Sequence, residues 1–374
     1  MKKVIITTFF KSENYGAVLQ AYSLQTILEE KGYEVSFLNY RDLTIEDTYR
    51  IRFFKKDNPY WFLRNFCGTL LFYRKKNQRH QQFEKFQKER LHIGNIRFDS
   101  IESVVKNPPD ADIYITGSDQ VWNTVITKGL SDIYTLNFGK NHIRRIAYAA
   151  SIGNARLTLE EEKLFQKKLS IIDMLSVREA TAKNLLQQCL LKKKIHTVLD
   201  PVLLRSCFNW EADISNIKKE EDKYILAYLL EDNEECKKTV DILAQNTGLR
   251  IIHFGMRKLY HNPSGSAYRK GPLEFVSLIK NAEYMVTTSF HGMAFSILFH
   301  KRFFVFPPSV VGSRIIDLLS LLQIPQRAVY SLKEFLSKDY NEEIDYQKVD
   351  MILEQERQKS LEWLSIALGE DDRI

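Results

Sequence analysis

The sequence predicts an α/β protein of two Rossmann-like domains facing a cleft. Three observations predict it. Short, nearly continuous apolar runs alternate with helical patterns, the mark of parallel sheets covered on both faces. The alternation pauses near Leu204–Lys223 and then starts again. The chain has 374 residues, which suits two domains at roughly 100–200 residues each.

The elements follow in order. Val4–Phe9 reads as a strand, and Ala17–Lys31 as a helix ending before Gly32. Glu34–Asn39 is the next strand. Asp112–Thr116, Ile146–Ala150, Met174–Val177 and Thr197–Leu199 are short buried strands, with helices Leu159–Leu169 and Ala180–Cys189 between some of them. Asp200-Pro201 ends the last strand, and Lys218 to Lys223 is a solvated charge run. The second alternation is Tyr224–Leu230, helix Glu234–Asn246, Arg250–Phe254, helix Leu273–Asn281, Tyr284–Thr288, helix Met293–Phe299 and Phe303–Phe306. A boundary near residue 210 therefore separates a domain at 1–210 from one at 211–345. Ligands of such folds sit outside the carboxyl ends of the strands, here between the domains. Tyr346–Leu368 is a helix with charges on one side, and 346–374 is expected to pack back on the first domain. Arg41–Arg90 holds no clear strand; it is a basic, aromatic, helical insertion at about 41–90.

Composition excludes several classes. Hydrophobic residues at 44% and charged residues at 27% fit a globular protein with an adequate core. Gly 15 and Pro 9 are too few for a collagenous or disordered chain. Lys+Arg 54 against Asp+Glu 47 leaves a net charge of +7, too weak and too scattered for a nucleic-acid protein. Met1-Lys2-Lys3 before the apolar run Val4–Phe10 superficially resembles a secretion signal. Polar Lys11, Ser12, Glu13 and Asn14 follow with no small-residue cleavage site, so a buried first strand explains the run better. No stretch reaches the ~18–20 apolar residues needed to span a bilayer. Cys67, Cys189, Cys207 and Cys236 form no CxxC pair and meet no His cluster at zinc spacing. They read as free thiols of a reducing cytosol, with no disulfide and no metal site.

Four motifs can carry chemistry. Ser12 to Gln20 follows the first strand and opens a helix. Backbone N–H groups there can hold an anion or a sugar hydroxyl, and Gly16 permits close approach. The same residues read equally as a plain strand-to-helix turn, and without GxGxxG they support no dinucleotide site. Thr116 to Asn123 places Ser118, Asp119, Trp122 and Asn123 after a strand: Trp to stack on a sugar, Asp and Asn to bind hydroxyls. The alternative is Asp119 as an N-cap with Trp122 in the core. Ser176-Val177-Arg178-Glu179 ends a buried strand, where a guanidinium can grip a carboxylate or phosphate. The alternative is a salt bridge of Arg178 to Glu179 or a neighbour. Thr287 to Gly292 sets Ser289, His291 and Gly292 at a helix N-terminus, an anion site with a titratable group, or else a structural histidine. Ser313-Arg314 adds a cation, and Arg269 with Lys270 adds charge in a loop. Arg178, His291, Arg314 and Arg269 around one cleft suit a small dianion or trianion better than a long polymer.

Together these motifs resemble the polysaccharide pyruvyl transferase family. The matching residues are Asn14-Tyr15-Gly16-Ala17 with Gln20, Thr116 to Asn123, Ser176 to Glu179, Asp200-Pro201, Ser289 to Gly292, and Ser313-Arg314, in the family's order. The resemblance implies a GT-B-like fold and transfer of pyruvate from phosphoenolpyruvate to a saccharide as a ketal, in cell-surface polysaccharide biosynthesis such as exopolysaccharide or capsule assembly. It implies phosphoenolpyruvate as co-substrate, no other cofactor and no obligatory metal. The first domain would be the acceptor side and the second the donor side. His291 would be general acid or phosphate contact, Arg178 would grip the donor, and Asp119 would orient or deprotonate the acceptor. The substrate-binding set would be Asn14, Tyr15, Gly16, Gln20, Ser118, Trp122, Asn123, Glu179, Arg269, Ser289, Gly292, Ser313 and Arg314. Some characterised members carry Arg-Leu-His where this chain has Ser289-Phe290-His291. The role of that missing arginine then passes to Arg178, Arg314, Arg269 or helix N–H groups.

Tyr49 to Arg79 is rich in Lys and Arg, with Asp57 its only acid, interleaved with Phe53, Phe54, Tyr60, Trp61, Phe62, Phe66, Phe72 and Tyr73. It reads either as an interfacial segment on anionic lipid or as a helical excursion packed on the first domain. Family acceptors are often lipid-linked, so the first reading puts a cytoplasmic enzyme at the inner membrane face. Two other functions fit the same fold: a GT-B glycosyltransferase using a nucleotide sugar, and a non-catalytic carbohydrate-binding protein.

Overall fold

The computed structural model describes residues 1–45, 66–153, 156–255, 267–308 and 312–370. Its first half carries β1 (Lys3–Thr7), α1 (Tyr15–Glu30), β2 (Glu34–Phe37), α2 (Phe66–Arg90), β3 (Ile113–Thr116), β4 (Arg144–Ala150), β5 (Met174–Val177), α3 (Ala180–Cys189), β6 (Ile195–Thr197) and α4 (Pro201–Leu204). These strands form a parallel sheet in the order β2-β1-β3-β4-β5-β6. The second half carries β7 (Tyr224–Leu229), β8 (Arg250–Gly255), α5 (Pro272–Asn281), β9 (Tyr284–Thr287), α6 (Phe290–Leu298), β10 (Arg302–Val305) and α7 (Ser313–Leu321). Its parallel sheet runs β10-β9-β7-β8. Every residue of β3 and β7 is buried, as a strand with helices on both faces requires. The fold is α/β with two Rossmann-like halves.

The helix α1 decides how the halves meet. It is apolar or small nearly all round, and such a helix is buried on all sides. It packs on α4, α5 and α6 and so lies between the sheets. One core cluster consequently runs from Val4 and Ile6 through Tyr15 and Tyr22 to Tyr228, Phe275 and Phe295. Tyr15 is the plug: its ring stacks on Phe275 at 4.8 Å and meets Phe254 at 4.7 Å and Phe83 at 4.8 Å. Each such pair adds about 0.5–1.5 kcal/mol beyond area burial. Arg79 of α2 lies over Tyr15 and over Tyr268 of the second half, and its Nη2 donates to Glu13 O at 2.7 Å. The basic insertion therefore turns at least this cation inward. Phe53, Phe54, Tyr60, Trp61 and Phe62, on which the lipid reading rests, lie outside the described residues. Among the described residues no helix is long and apolar enough to cross a membrane.

Three boundaries differ from expectation for local reasons. β6 ends at Thr197, two residues before the predicted end, because Leu199 N donates to Ser360 Oγ rather than to a sheet neighbour. Helix α6, after β9, starts at Phe290 rather than Met293, since Ser289 Oγ accepts from Gly292 N and caps it. The supposed pause after Leu204 contains the helix Cys207–Asp213, capped by Ser206. The C-terminal helix α8 (Tyr346–Leu368) touches both halves: Tyr346 Oη donates to Lys301 O, while Arg144 Nε donates to Ala367 O.

Candidate active site

The site grows from Asp200, where the chain leaves β6. Its Oδ1 accepts from Val202 N at 3.0 Å and caps α4, with Pro201 at the first helical position. That cap fixes the other oxygen. Oδ2 accepts from Arg178 Nη1 at 2.7 Å and from Ser118 Oγ at 2.9 Å, and stands 3.5 Å from His291 Nε2. Three motifs, from β3, β5 and β9, thus converge on one buried carboxylate. Two belong to the first half and one to the second.

The electrostatics follow. Burial opposes the Asp200 carboxylate, but His291 and Arg178 beside it overcome that and hold its pKa below the ordinary range. Burial also opposes the Arg178 cation, yet Asp200, Glu179 and Asp119 raise its pKa. Arg314 fares differently: burial, and then the like charge of Arg178, pull it down to about 10. The two guanidinium groups share the ring of Phe290, with Cζ at 4.5 Å for Arg178 and 5.9 Å for Arg314. Among the described residues, Arg178 Nε and Nη2, Arg314 Nε and His291 Nε2 are buried without a hydrogen-bond partner. Native proteins rarely leave so many donors unmatched in one place. A cavity of about 480 Å³ opens beside Arg178, Asp200, Phe290 and Arg314.

Backbone strain concentrates here. Asp119 has φ +81° and Ala149 has φ +53°, conformations that cost non-glycine residues on the order of 1–3 kcal/mol each. The register of β4 against β5 shifts between Ala147 and Ala150. Ser176 Oγ bridges that bulge, donating to Ala147 O and accepting from Ala149 N. The bulge brings Ser151 to Glu179, where its Oγ donates to Oε1 at 2.7 Å.

Several predicted ligand contacts prove to be packing. Trp122 is fully buried and its Nε1 donates to Tyr134 O, so it stacks on no sugar. Asn123 spends Oδ1 on Val125 N and Ile126 N and donates Nδ2 to Gln120. Asn14 caps α1 by accepting from Gly16 N and Ala17 N, which takes up two N–H groups expected for an anion. Tyr15 is the plug described above. Gln20 donates to Thr8 Oγ1 and Ala17 O inside the core. Gly16 does permit a close approach, but of His291: a Cβ there would lie 1.9 Å from His291 Nδ1. Gly292 lets α6 sit close to β9, since a Cβ would lie 2.8 Å from Thr287 Oγ1. Ser118 holds Asp200, and Ser289 caps α6. Arg269 is exposed and turns Nη1 to Gln78 of α2 at 3.4 Å, so the arginine pair is Arg178 with Arg314. Ser313 opens α7 next to Arg314. Asp119 remains at the site, its Oδ1 accepting from Gln120 N. Asp200 is the residue that motif reading left without a role; an Asp-Pro pair directly after a strand was the available signal. Among the described residues no cluster of His, Cys, Asp and Glu could hold a metal ion.

The family model for polysaccharide pyruvyl transferases matches residues 14–309, which include every part of this cluster except Arg314. The chain belongs to the polysaccharide pyruvyl transferase family. No curated protein matches this pyruvyl transferase family member. Among solved structures it is similar to S. aureus MnaA with UDP, at 13% identity and TM-score 0.50, covering 96% of this chain and 90% of that one. A Methanocaldococcus jannaschii UDP-GlcNAc 2-epimerase, in complex with UDP-GlcNAc and UDP, gives 14% identity and TM-score 0.47, covering 94% and 98%. The Streptomyces sp. SF2575 glycosyltransferase SsfS6 with thymidine diphosphate gives 11% identity and TM-score 0.45, covering 98% and 99%. At 13% identity the likeness to MnaA is one of fold, two Rossmann-like domains of GT-B type.

Proposed function

We propose that this chain moves the pyruvyl group of phosphoenolpyruvate onto two hydroxyls of a saccharide, in cell-surface polysaccharide biosynthesis. One observation carries the reading: donors of Arg178 and Arg314, unmatched among the described residues, line a cavity together with Asp200, and His291 Nε2 stands 3.5 Å from that carboxylate. Phosphoenolpyruvate brings a carboxylate and a phosphate, which match a guanidinium pair. An anion between Arg178 and Arg314 also relieves their mutual repulsion. His291 is the proton donor to the methylene carbon. Protonation leaves an oxocarbenium-like centre that the first sugar hydroxyl attacks, with Asp119 taking its proton. Phosphate departs, the second hydroxyl closes the ketal and gives its proton to the departing phosphate, and inorganic phosphate is the other product. The arginine pair stabilises the phosphate as its charge develops. The pair also stands in for the arginine absent before Phe290. The saccharide lies on the first half, outside the carboxyl ends of β3 and β4, and is lipid-linked if residues 49–79 meet a membrane.

Thermal stabilisation tests the donor. Phosphoenolpyruvate is expected to raise the melting temperature of the whole chain, and UDP- or TDP-sugars to leave it unchanged. Stabilisation by the nucleotide sugars alone would favour glycosyl transfer on the same fold, and response to neither would favour a binding protein.

A further inference from the structure

The cavity beside the arginine pair exceeds the donor assigned to it. Ligand pockets usually measure ~300–1,000 Å³. At about 480 Å³ this is a pocket for a whole small ligand, of which a three-carbon enol phosphate fills one end. The remaining wall mixes hydrocarbon, chiefly Leu318 and Leu321 of the second half over the buried Leu203 of the first, with the polar Thr197 and Ser320. The acidic groups on the rim are already engaged. Asp317 accepts from Thr181 N and Oγ1, and Glu356 pairs with Lys359. Among the lining residues, the buried polar atoms without a partner belong to Arg178 and Arg314 alone. The pocket therefore asks for charge at one end and apolar surface at the other.

We infer that the donor site accepts enol phosphates larger than phosphoenolpyruvate, with an alkyl substituent on the methylene carbon lying against Leu203, Leu318 and Leu321. The inference rests on the donor assignment above and widens its substrate class. Transfer balances as before: the substituted carbon takes the proton, the adjacent carbon takes the sugar oxygens, and phosphate leaves.

Titration calorimetry on the full chain reads this out, with inorganic phosphate, phosphoenolpyruvate and its 3-methyl, 3-ethyl and 3-propyl analogues. Each added carbon is expected to tighten binding about four-fold until the wall is covered, the gain for burying one methylene. Leu321 is partly exposed on α7, so Leu321→Trp can fill the apolar end without overpacking the core. In that variant the order is expected to reverse, with the 3-propyl analogue weaker than phosphoenolpyruvate. If the 3-methyl analogue binds wild type more weakly than phosphoenolpyruvate, the inference fails and the donor assignment stands. An unchanged series in Leu321→Trp overturns it as well, since the substituent then lies elsewhere. If phosphoenolpyruvate itself does not bind, the donor assignment falls and this inference with it.

Discussion

Asp200→Asn is expected to cost about 3–5 kcal/mol of stability at pH 7, the range for breaking a buried ion pair from one side. The Arg178 side chain is 1% exposed and that of Asp200 is fully buried. Arg178 has one hydrogen bond to the carboxylate through Nη1, while among the described residues Nε and Nη2 have no hydrogen-bond partner. Asparagine keeps the shape but removes the charge and leaves one acceptor oxygen for both the α4 cap and the Ser118 hydroxyl. The cation is then left with Glu179, whose Oε2 lies 3.7 Å from Nε, and with Asp119. The pH dependence carries a definite sign. The folded pKa of Asp200 is depressed, so its stabilisation is complete above the unfolded value near ~3.9 and is lost as pH falls through the folded value. Urea unfolding of wild type and variant should therefore differ fully at pH 7, with the gap closing only in acid below about pH 4. Equal urea midpoints at pH 7 would show that the carboxylate does not hold the cluster together.

Gly16→Ala should lower turnover by about 100-fold or more while leaving α1 formed, because a misplacement near 1 Å can cost that much. The new methyl would sit 1.9 Å from His291 Nδ1, 2.4 Å from Cγ and 2.6 Å from Cε1. His291 is buried in the second half and the methyl would belong to the first. Either the ring rotates away from Asp200 or α1 lifts off its neighbours. Helix propensity works weakly the other way: Ala is better than Gly by ~1 kcal/mol in a helix interior and by less in the first turn, where Gly16 sits. Melting temperature and kcat/KM measured together separate the two. Wild-type kcat/KM in this variant would mean that the seat of His291 against Gly16 has no part in catalysis.

Much of this architecture can be read from the sequence. Met174–Val177, Leu159–Leu169, Ala180–Cys189 and Tyr346–Leu368 fall where their patterns put them; Thr158 caps the second, and Asp345 and Gly369 bound the fourth. The convergence of Ser118, Arg178 and His291 was also foreseeable, since strand ends of this fold point one way. Non-local packing was not. Trp122 stands in a polar turn, yet its N–H is matched by a carbonyl 12 residues later, so the turn buries it. Tyr15 looks like a cleft residue because it opens α1, and only the aromatic layer of the other half makes it core. Arg79 sits in a run whose charge suggested a surface, but Glu13 and Tyr15 draw it inward. Ala149 offers no sign of the bulge it occupies, because positive φ is signalled in sequence mainly by glycine or asparagine.

The central claim is that His291 and the arginine pair drive pyruvyl transfer. The most direct measurement follows 13C-labelled phosphoenolpyruvate with a panel of lipid-linked and synthetic glycosides, reading released phosphate and labelled ketal together. Equal amounts of both products are expected with wild type and neither with His291→Ala. Wild-type turnover of phosphoenolpyruvate by His291→Ala would contradict it.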